Sequence, residues 1–354
     1  MPDAIWIDKD EELPALAQDL GSQTWLGVDT EFLRERTFFP KLCLLQIAAG
    51  GRIWCIDTLR IGSLEPLMSA LTSLAARKVI HAARQDLEAV YLTTKRVMGP
   101  VFDTQIAAGC IGLKPQVGYA ELVKTLLDVS IPKGQTRTDW SKRPLSREQL
   151  EYAADDVLYL GEVADHLSSR LRELKREQWV QEDCKALEER ELYEPDPGHA
   201  WMRLRGLAQL APAARTRAKA IAVWREKIAR GRDLPRAWIL ADAAIFAVAQ
   251  GAAPPLNDSL SASLENALHD APHQHEEPSQ DARPTPEQKV VIERLAKIVD
   301  SRALELNVSA EILAPRGELK ALAMDARAPA LRESHALRGW RREEIGNLLL
   351  EAIS

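Results

Sequence analysis

The stretch that decides the fold is Thr24-Trp25-Leu26-Gly27-Val28-Asp29-Thr30-Glu31-Phe32. It reads as a β-strand closing on two carboxylates two residues apart. Strand side chains alternate between faces, so Asp29 and Glu31 project to the same side of the sheet and can share one ion. Two charges at the end of an apolar strand repel each other and resist burial unless a cation compensates them. Taken alone, the pair also fits a strand running out into solvent through Arg34-Glu35-Arg36-Thr37. Chemistry requires more carboxylates to converge on it.

Working outward, Lys41-Leu42-Cys43-Leu44-Leu45-Gln46-Ile47-Ala48 is a second strand. The pair Gly50-Gly51 then turns the chain into Ile53-Trp54-Cys55-Ile56-Asp57, a third. A tight glycine turn between two such runs is the mark of a hairpin, so three neighbouring antiparallel strands open the fold. Ser63 to Ala76 has helical spacing, Lys78-Val79-Ile80-His81 is a short buried strand, and a helix follows from about Asp86 to Leu92. This is an α/β layer arrangement. Farther on, Ser146 with Gln149 three residues later forms a capping box after Pro144, starting a helix that should carry Leu150 through Leu171. Helical patterning continues through Arg190 until Glu194-Pro195-Asp196-Pro197-Gly198 breaks it, and everything beyond is helical. A second break runs from Pro272 to Pro286, polar and proline-rich, and reads as a linker between two helical modules. His273 and His275 lie in it without a third ligand and carry no metal reading.

At 354 residues the chain exceeds one ordinary domain. Hydrophobic residues at 46% and charged residues at 28% are ordinary for a soluble globular protein, and no apolar run is long enough to span a membrane. Met1-Pro2-Asp3-Ala4-Ile5-Trp6 has no basic region leading into an apolar one, so the chain reads as cytoplasmic. Cys43, Cys55, Cys110 and Cys184 are widely spaced and read as buried thiols. A net charge of -6 argues against a nucleic-acid partner, but the distribution is uneven. Between Pro197 and Gln250 ten basic residues face three acidic ones, a local charge of +7. Those arginines either meet a nucleic-acid backbone or lie along an apolar helix face. Trp201 and Trp238 could stack on bases, but at helical spacing with Leu204, Ile239 and Leu240 they read as core.

Two further places hold carboxylates. Tyr152 and Asp156 are four apart on the helix begun near Ser146, so a phenol and a carboxylate stack on one face. Without context, Tyr152 is a core aromatic and Asp156 half of a solvated Asp155-Asp156 pair. Asp86 follows His81-Ala82-Ala83-Arg84-Gln85, where an aspartate is often an N-terminal cap.

Taken together, these segments resemble the DEDD exonuclease superfamily in its tyrosine-bearing branch. The matching strings are D-x-E at Asp29-Thr30-Glu31, the aspartate of His81-Ala82-Ala83-Arg84-Gln85-Asp86-Leu87, and Y-x-x-x-D at Tyr152-Ala153-Ala154-Asp155-Asp156. Phe38 to Ile47, Gly134 to Trp140 and Tyr152 to Leu160 are similar to ribonuclease D in particular. Trp201 to Ala249 resembles an HRDC domain, and Ile312-Leu313-Ala314-Pro315 with Leu337-Arg338-Gly339-Trp340-Arg341 resembles a second, more diverged copy.

The resemblance implies an α/β ribonuclease-H-like exonuclease domain over 1–194, an HRDC domain over 197–272, a linker over 273–286 and an HRDC-like domain over 287–354, the last two modules all-α. It implies that Asp29, Glu31, Asp86 and Asp156 hold two divalent ions, Mg²⁺ or Mn²⁺, with Asp29 bridging. Tyr152 completes the catalytic set by orienting the attacking water, since a phenol with a pKa near ~10 is a poor base at neutral pH. Gln135, Arg137, Lys142 and Arg143, in the loop before the Tyr152 helix, are candidates for binding the phosphate backbone. Asp103 has at most a supporting role, and His81 stands outside the catalytic set. The implied activity is 3′-to-5′ hydrolysis of RNA with a single-stranded 3′ end, tRNA precursors by family analogy, releasing nucleoside 5′-monophosphates. The rivals are a 3′-5′ DNA exonuclease, because the 2′-hydroxyl contacts that discriminate are in no motif, and a nucleic-acid-binding protein with an inactive site.

Overall fold

The structure is a computed structural model that describes residues 4–132, 134, 138–269, 284–324 and 334–353. Its centre is a six-stranded mixed sheet in the order β1-β4-β3-β2-β5-β6, with β1 Ile5–Ile7, β2 Trp25–Leu33, β3 Lys41–Ala49, β4 Arg52–Ile56, β5 Arg77–Ile80 and β6 Val101–Asp103. As the alternation and the glycine pair require, β2, β3 and β4 are antiparallel neighbours. Gly50 and Gly51 both take positive φ, 54° and 75°, which matches the right-handed twist of the hairpin they join. The remaining pairs, β1 with β4, β2 with β5 and β5 with β6, are parallel.

Helices cover this sheet: α1 Leu13–Gly21, α2 Glu65–Leu71, α3 Arg84–Thr94, α4 Thr104–Cys110, α5 Tyr119–Leu127, α6 Arg147–Leu158, α7 Leu160–Leu174 and α8 Glu177–Ala186. The capping box forms as the sequence implies: Gln149 N–H donates to Ser146 Oγ at 3.2 Å, and Ser146 N–H to Gln149 Oε1 at 3.0 Å. The single helix expected through Leu171 is instead two. The break is at Tyr159, at φ −100° and ψ 2°, where the phenol oxygen of Tyr119 accepts the Tyr159 N–H at 3.2 Å. A side chain forty residues away supplies this bond, so local spacing could not reveal the break. Gly161 then lets α7 approach β2, since a Cβ there would overlap the Trp25 indole.

The chain divides into two compact units. One holds the residues up to Leu33, Lys41–Tyr193 and the chain from Pro284 onward; the other joins Arg34–Pro40 to the chain from Glu194 through the linker. In the first unit α13 Pro286–Leu306, α14 Ala310–Leu313 and α15 Arg316–Met324 share one apolar core with the sheet, to which they contribute Leu295, Val299, Leu313 and Leu319. Trp340 stacks on Trp179 of α8 at 3.9 Å between centroids and 8° between planes. Arg341 donates to both oxygens of Asp183 at 2.5 and 2.8 Å. Most of the expected 273–286 linker, His273 and His275 included, lies outside the described residues. Its last two residues are helix start: Thr285 caps α13 and Pro286 is its first residue.

The second unit is built on α9 Pro212–Arg232, with α10 Arg236–Ile239, α11 Asp242–Ala249 and α12 Asp258–His269. Asp233, the left-handed cap of α9, accepts the N–H groups of both Phe38 and Phe39 at 3.0 Å, and Phe38 is buried among Trp201, Leu204 and Trp224. Trp201 is core as expected, whereas Trp238 is 61% exposed. Most of the +7 is spent inside the unit. Arg203 and Arg236 bind the buried Glu226, Arg225 binds Asp242, and Lys219 lies 4.0 Å from the Trp201 ring centre. Arg215, Arg217 and Arg230 donate to main-chain carbonyls. Arg205, Lys227 and Arg232 are the exposed cations left without a partner among the described residues.

The two helical segments repeat one local pattern. In each, a 21-residue helix opens on proline, ends in a left-handed Asp233 or Asn307, and is followed by a four-residue helix with an extended cap at Leu240 or Ala314.

Candidate active site

Asp29 and Glu31 leave β2 side by side, and the register shifts by a bulge immediately after Glu31. Bulges re-aim side chains where they occur. From α6 the third carboxylate, Asp156, comes down on this pair. One oxygen from each of Asp29, Glu31 and Asp156 lies within 4.8 Å of the other two. Tyr152, one turn before Asp156 on the same face, sets its phenol toward the Asp156 carboxylate. Asp86 sits in the first turn of α3 but is more than a cap: it is 7% exposed and accepts from Thr30 Oγ1 at 2.5 Å.

Burial, then mutual repulsion, sets the electrostatics. Desolvation, followed by the charges of Asp86, Asp156 and Glu31, raises Asp29 well above the usual carboxylate range. Glu31 is pushed up to about 9 by burial and then by Asp156 and Asp86. Asp86 and Asp156 both rise to about 7, chiefly through burial, with the Thr30 hydroxyl and the Tyr152 phenol holding them lower than burial alone would. The Tyr152 phenol is itself raised by burial and the three carboxylates, so it keeps its proton at neutral pH. Four like charges gathered this way call for a counter-cation, and an all-oxygen donor set suits hard divalent ions.

Asp29, Glu31 and Asp156, but not Asp86, open on a cavity of about 260 Å³ that His81 and Tyr119 also line. His81 Nε2 lies 2.9 Å from the Val117 carbonyl, which can only accept, so that nitrogen carries the proton; Nδ1 takes a hydrogen bond from Thr104 Oγ1 at 2.8 Å. Both ring nitrogens are occupied. Tyr119 and Thr30 had no sequence motif to announce them. Asp103 caps α4 through the N–H groups of Gln105 and Ile106, and also accepts those of Ala82 and Ala83 in the turn before Asp86.

The four basic-loop candidates fare differently. Gln135 and Arg137 lie outside the described residues. Lys142 is 78% exposed and sits 3.8 Å from Asp139. Arg143 is folded inward, every guanidinium N–H donating to Asp57 or to a main-chain carbonyl, so it has no donor left for a phosphate.

A family model described as 3′-5′ exonuclease matches residues 4–172, and an HRDC domain model matches residues 214–262. The chain is 33% identical to ribonuclease D of Pseudomonas paraeruginosa over 99% of its own length and 98% of that protein's. It is 37% identical to ribonuclease D of Xanthomonas oryzae pv. oryzae over 95% of each. Among solved structures, Escherichia coli RNase D, described as an exoribonuclease involved in structured RNA processing, superposes with a TM-score of 0.89 at 26% identity, covering 99% of this chain and 98% of that one.

Proposed function

The chain belongs to the ribonuclease D family, and on that premise we propose that it removes nucleotides from RNA 3′ ends by metal-dependent hydrolysis at the carboxylate cluster. The observation that carries this reading is the approach of Asp29 and Glu31 of β2 and Asp156 of α6 to within 4.8 Å of one another. Asp29, Glu31 and Asp156 would hold a divalent ion, Mg²⁺ or Mn²⁺, and Asp86 would help to hold a second. Such a pair, when bound, supplies activation of water and neutralises charge on the departing oxygen.

The chain's own residues do the rest. Asp29 and Asp156 fix the site from two different elements, and Thr30 orients Asp86. The protonated Tyr152 directs the attacking water through its hydroxyl rather than removing a proton. Water adds at phosphorus, the bond to the 3′-oxygen breaks, that oxygen takes a proton, and a nucleoside 5′-monophosphate leaves. The natural substrates are RNAs with single-stranded 3′ ends such as tRNA precursors, met in the cytoplasm. No described helix is long and apolar enough to cross a membrane.

The repeated helix pattern supports two HRDC-type modules, 197–272 and 287–354, after an exonuclease domain over 1–194. Unspent basic side chains at Arg205, Lys227 and Arg232 are where the first module meets RNA. The test is digestion of end-labelled single-stranded RNA and matched DNA with Mg²⁺, Mn²⁺ or EDTA. Stepwise metal-dependent loss of RNA from the 3′ end is the expected result, and preference for DNA would overturn the substrate assignment.

A further inference from the structure

In the β2–β3 pairing, Gln46 stands directly opposite Asp29. Residues directly opposite on antiparallel strands share a face, with Cβ atoms about 4.5–5.5 Å apart, a gap that a glutamine side chain spans. On its other side Gln46 pairs with Cys55, which packs with Trp140 of the preceding loop and Ala153 of α6. The Gln46 amide is therefore held between the strand that carries Asp29 and the helix that carries Tyr152 and Asp156.

Gln46 is fully buried, and neither its Oε1 nor its Nε2 has a hydrogen-bond partner among the described residues. Leaving a buried amide unpaired costs about 1–3 kcal/mol, and an apolar side chain of similar size would avoid that cost. Asp29, its neighbour, faces three like charges, and no side chain among the described residues donates to it. A donor without an acceptor thus stands beside a carboxylate without a side-chain donor.

We propose that Gln46 is a positioning residue for the metal centre, its amide N–H donating to the Asp29 carboxylate when divalent cations occupy the cluster. This rests on the metal-dependent reading above. The unpaired amide is a stability cost of the metal-free protein that is recovered on metal binding. Groups that orient metal-binding side chains in this way typically change metal affinity by about 10–100-fold when removed.

The test compares the full-length wild type with Gln46→Leu and Gln46→Met. Thermal unfolding is followed in EDTA and across a Mn²⁺ titration, alongside RNA cleavage over the same titration. Expected for both variants is a Tm in EDTA equal to or above that of the wild type, a Mn²⁺ midpoint raised about 10-fold by thermal shift and by cleavage alike, and an unchanged KM for RNA at saturating Mn²⁺. A Mn²⁺ midpoint within twofold of wild type overturns the proposal and leaves Gln46 as core filler. Lower Tm for both variants in EDTA also overturns it, because the amide would then have a partner without metal. Absence of any Mn²⁺ response in the wild type would instead remove the metal-dependent reading itself.

Discussion

Arg143 and Asp57 face each other through two parallel hydrogen bonds, Nε to Oδ2 at 2.6 Å and Nη2 to Oδ1 at 2.7 Å. Asp57 is wholly buried. The remaining guanidinium donors go to the carbonyls of Trp140, Lys142 and Cys43. The pair fastens the loop that leads into α6 onto the chain just past β4, and α6 presents Tyr152 and Asp156.

Removing one partner strands a buried charge. Arg143→Gln or Asp57→Asn should lower unfolding free energy by about 3–5 kcal/mol, read from denaturant midpoints. Arg143→Lys should rescue little, because an ammonium lacks the planar fork that makes five fixed bonds. Full stability in Arg143→Lys would show that charge alone suffices.

Asp29→Asn should separate stability from activity. It deletes one of four mutually repelling carboxylates, so in EDTA at pH 8 the variant should melt above the wild type. In Mg²⁺ it should lose at least about 100-fold in RNA cleavage. A variant that melts lower in EDTA would mean that the cluster is not under repulsion.

Stability in EDTA should fall as pH rises. Carboxyl groups in the unfolded chain titrate near ~4, whereas in the fold Asp86 and Asp156 are held near about 7 and Glu31 near about 9. The native state therefore binds more protons across this interval, and each raised group subtracts stability until the pH has passed its value in the fold. Between about pH 5 and about pH 9, the wild type should lose more Tm than Asp29→Asn/Glu31→Gln, and Mn²⁺ should flatten the difference. Identical profiles for the two proteins would contradict this picture.

In the second unit, Trp201→Ala should cost about 3–5 kcal/mol and Trp238→Ala no more than about 0.5 kcal/mol, since only the first is core. Denaturation in urea measures both. A large loss for Trp238→Ala would mean that its indole is covered.

Three of the proposed site's carboxylates and its phenol were legible because they rest on short-range rules, whereas Asp86 read as a helix cap and joined them only through the family resemblance. Strand alternation pairs Asp29 with Glu31, the helical repeat stacks Tyr152 over Asp156, and a serine with a glutamine three residues on starts α6. What stayed hidden depends on contacts distant in sequence. Gln46 acquires its place from strand register and Tyr119 from the end of α6 at Tyr159. Arg143 looks like any loop cation until Asp57, 86 residues earlier, is seen to bind it. Trp238 was misjudged because spacing marks a helix face without saying whether another element covers it.

The first unit is discontinuous, and this orders its assembly during synthesis. Every carboxylate of the cluster has been made by Asp156, yet Leu295, Leu319, Trp340 and Leu349 belong to the same apolar core as the sheet. A nascent chain stalled within the second unit would carry all its reactive groups on a scaffold still missing part of its packing. The ribosome must finish the second unit before the nuclease can close its interior, so premature termination there should yield a protein with the motif but not the durability of the enzyme.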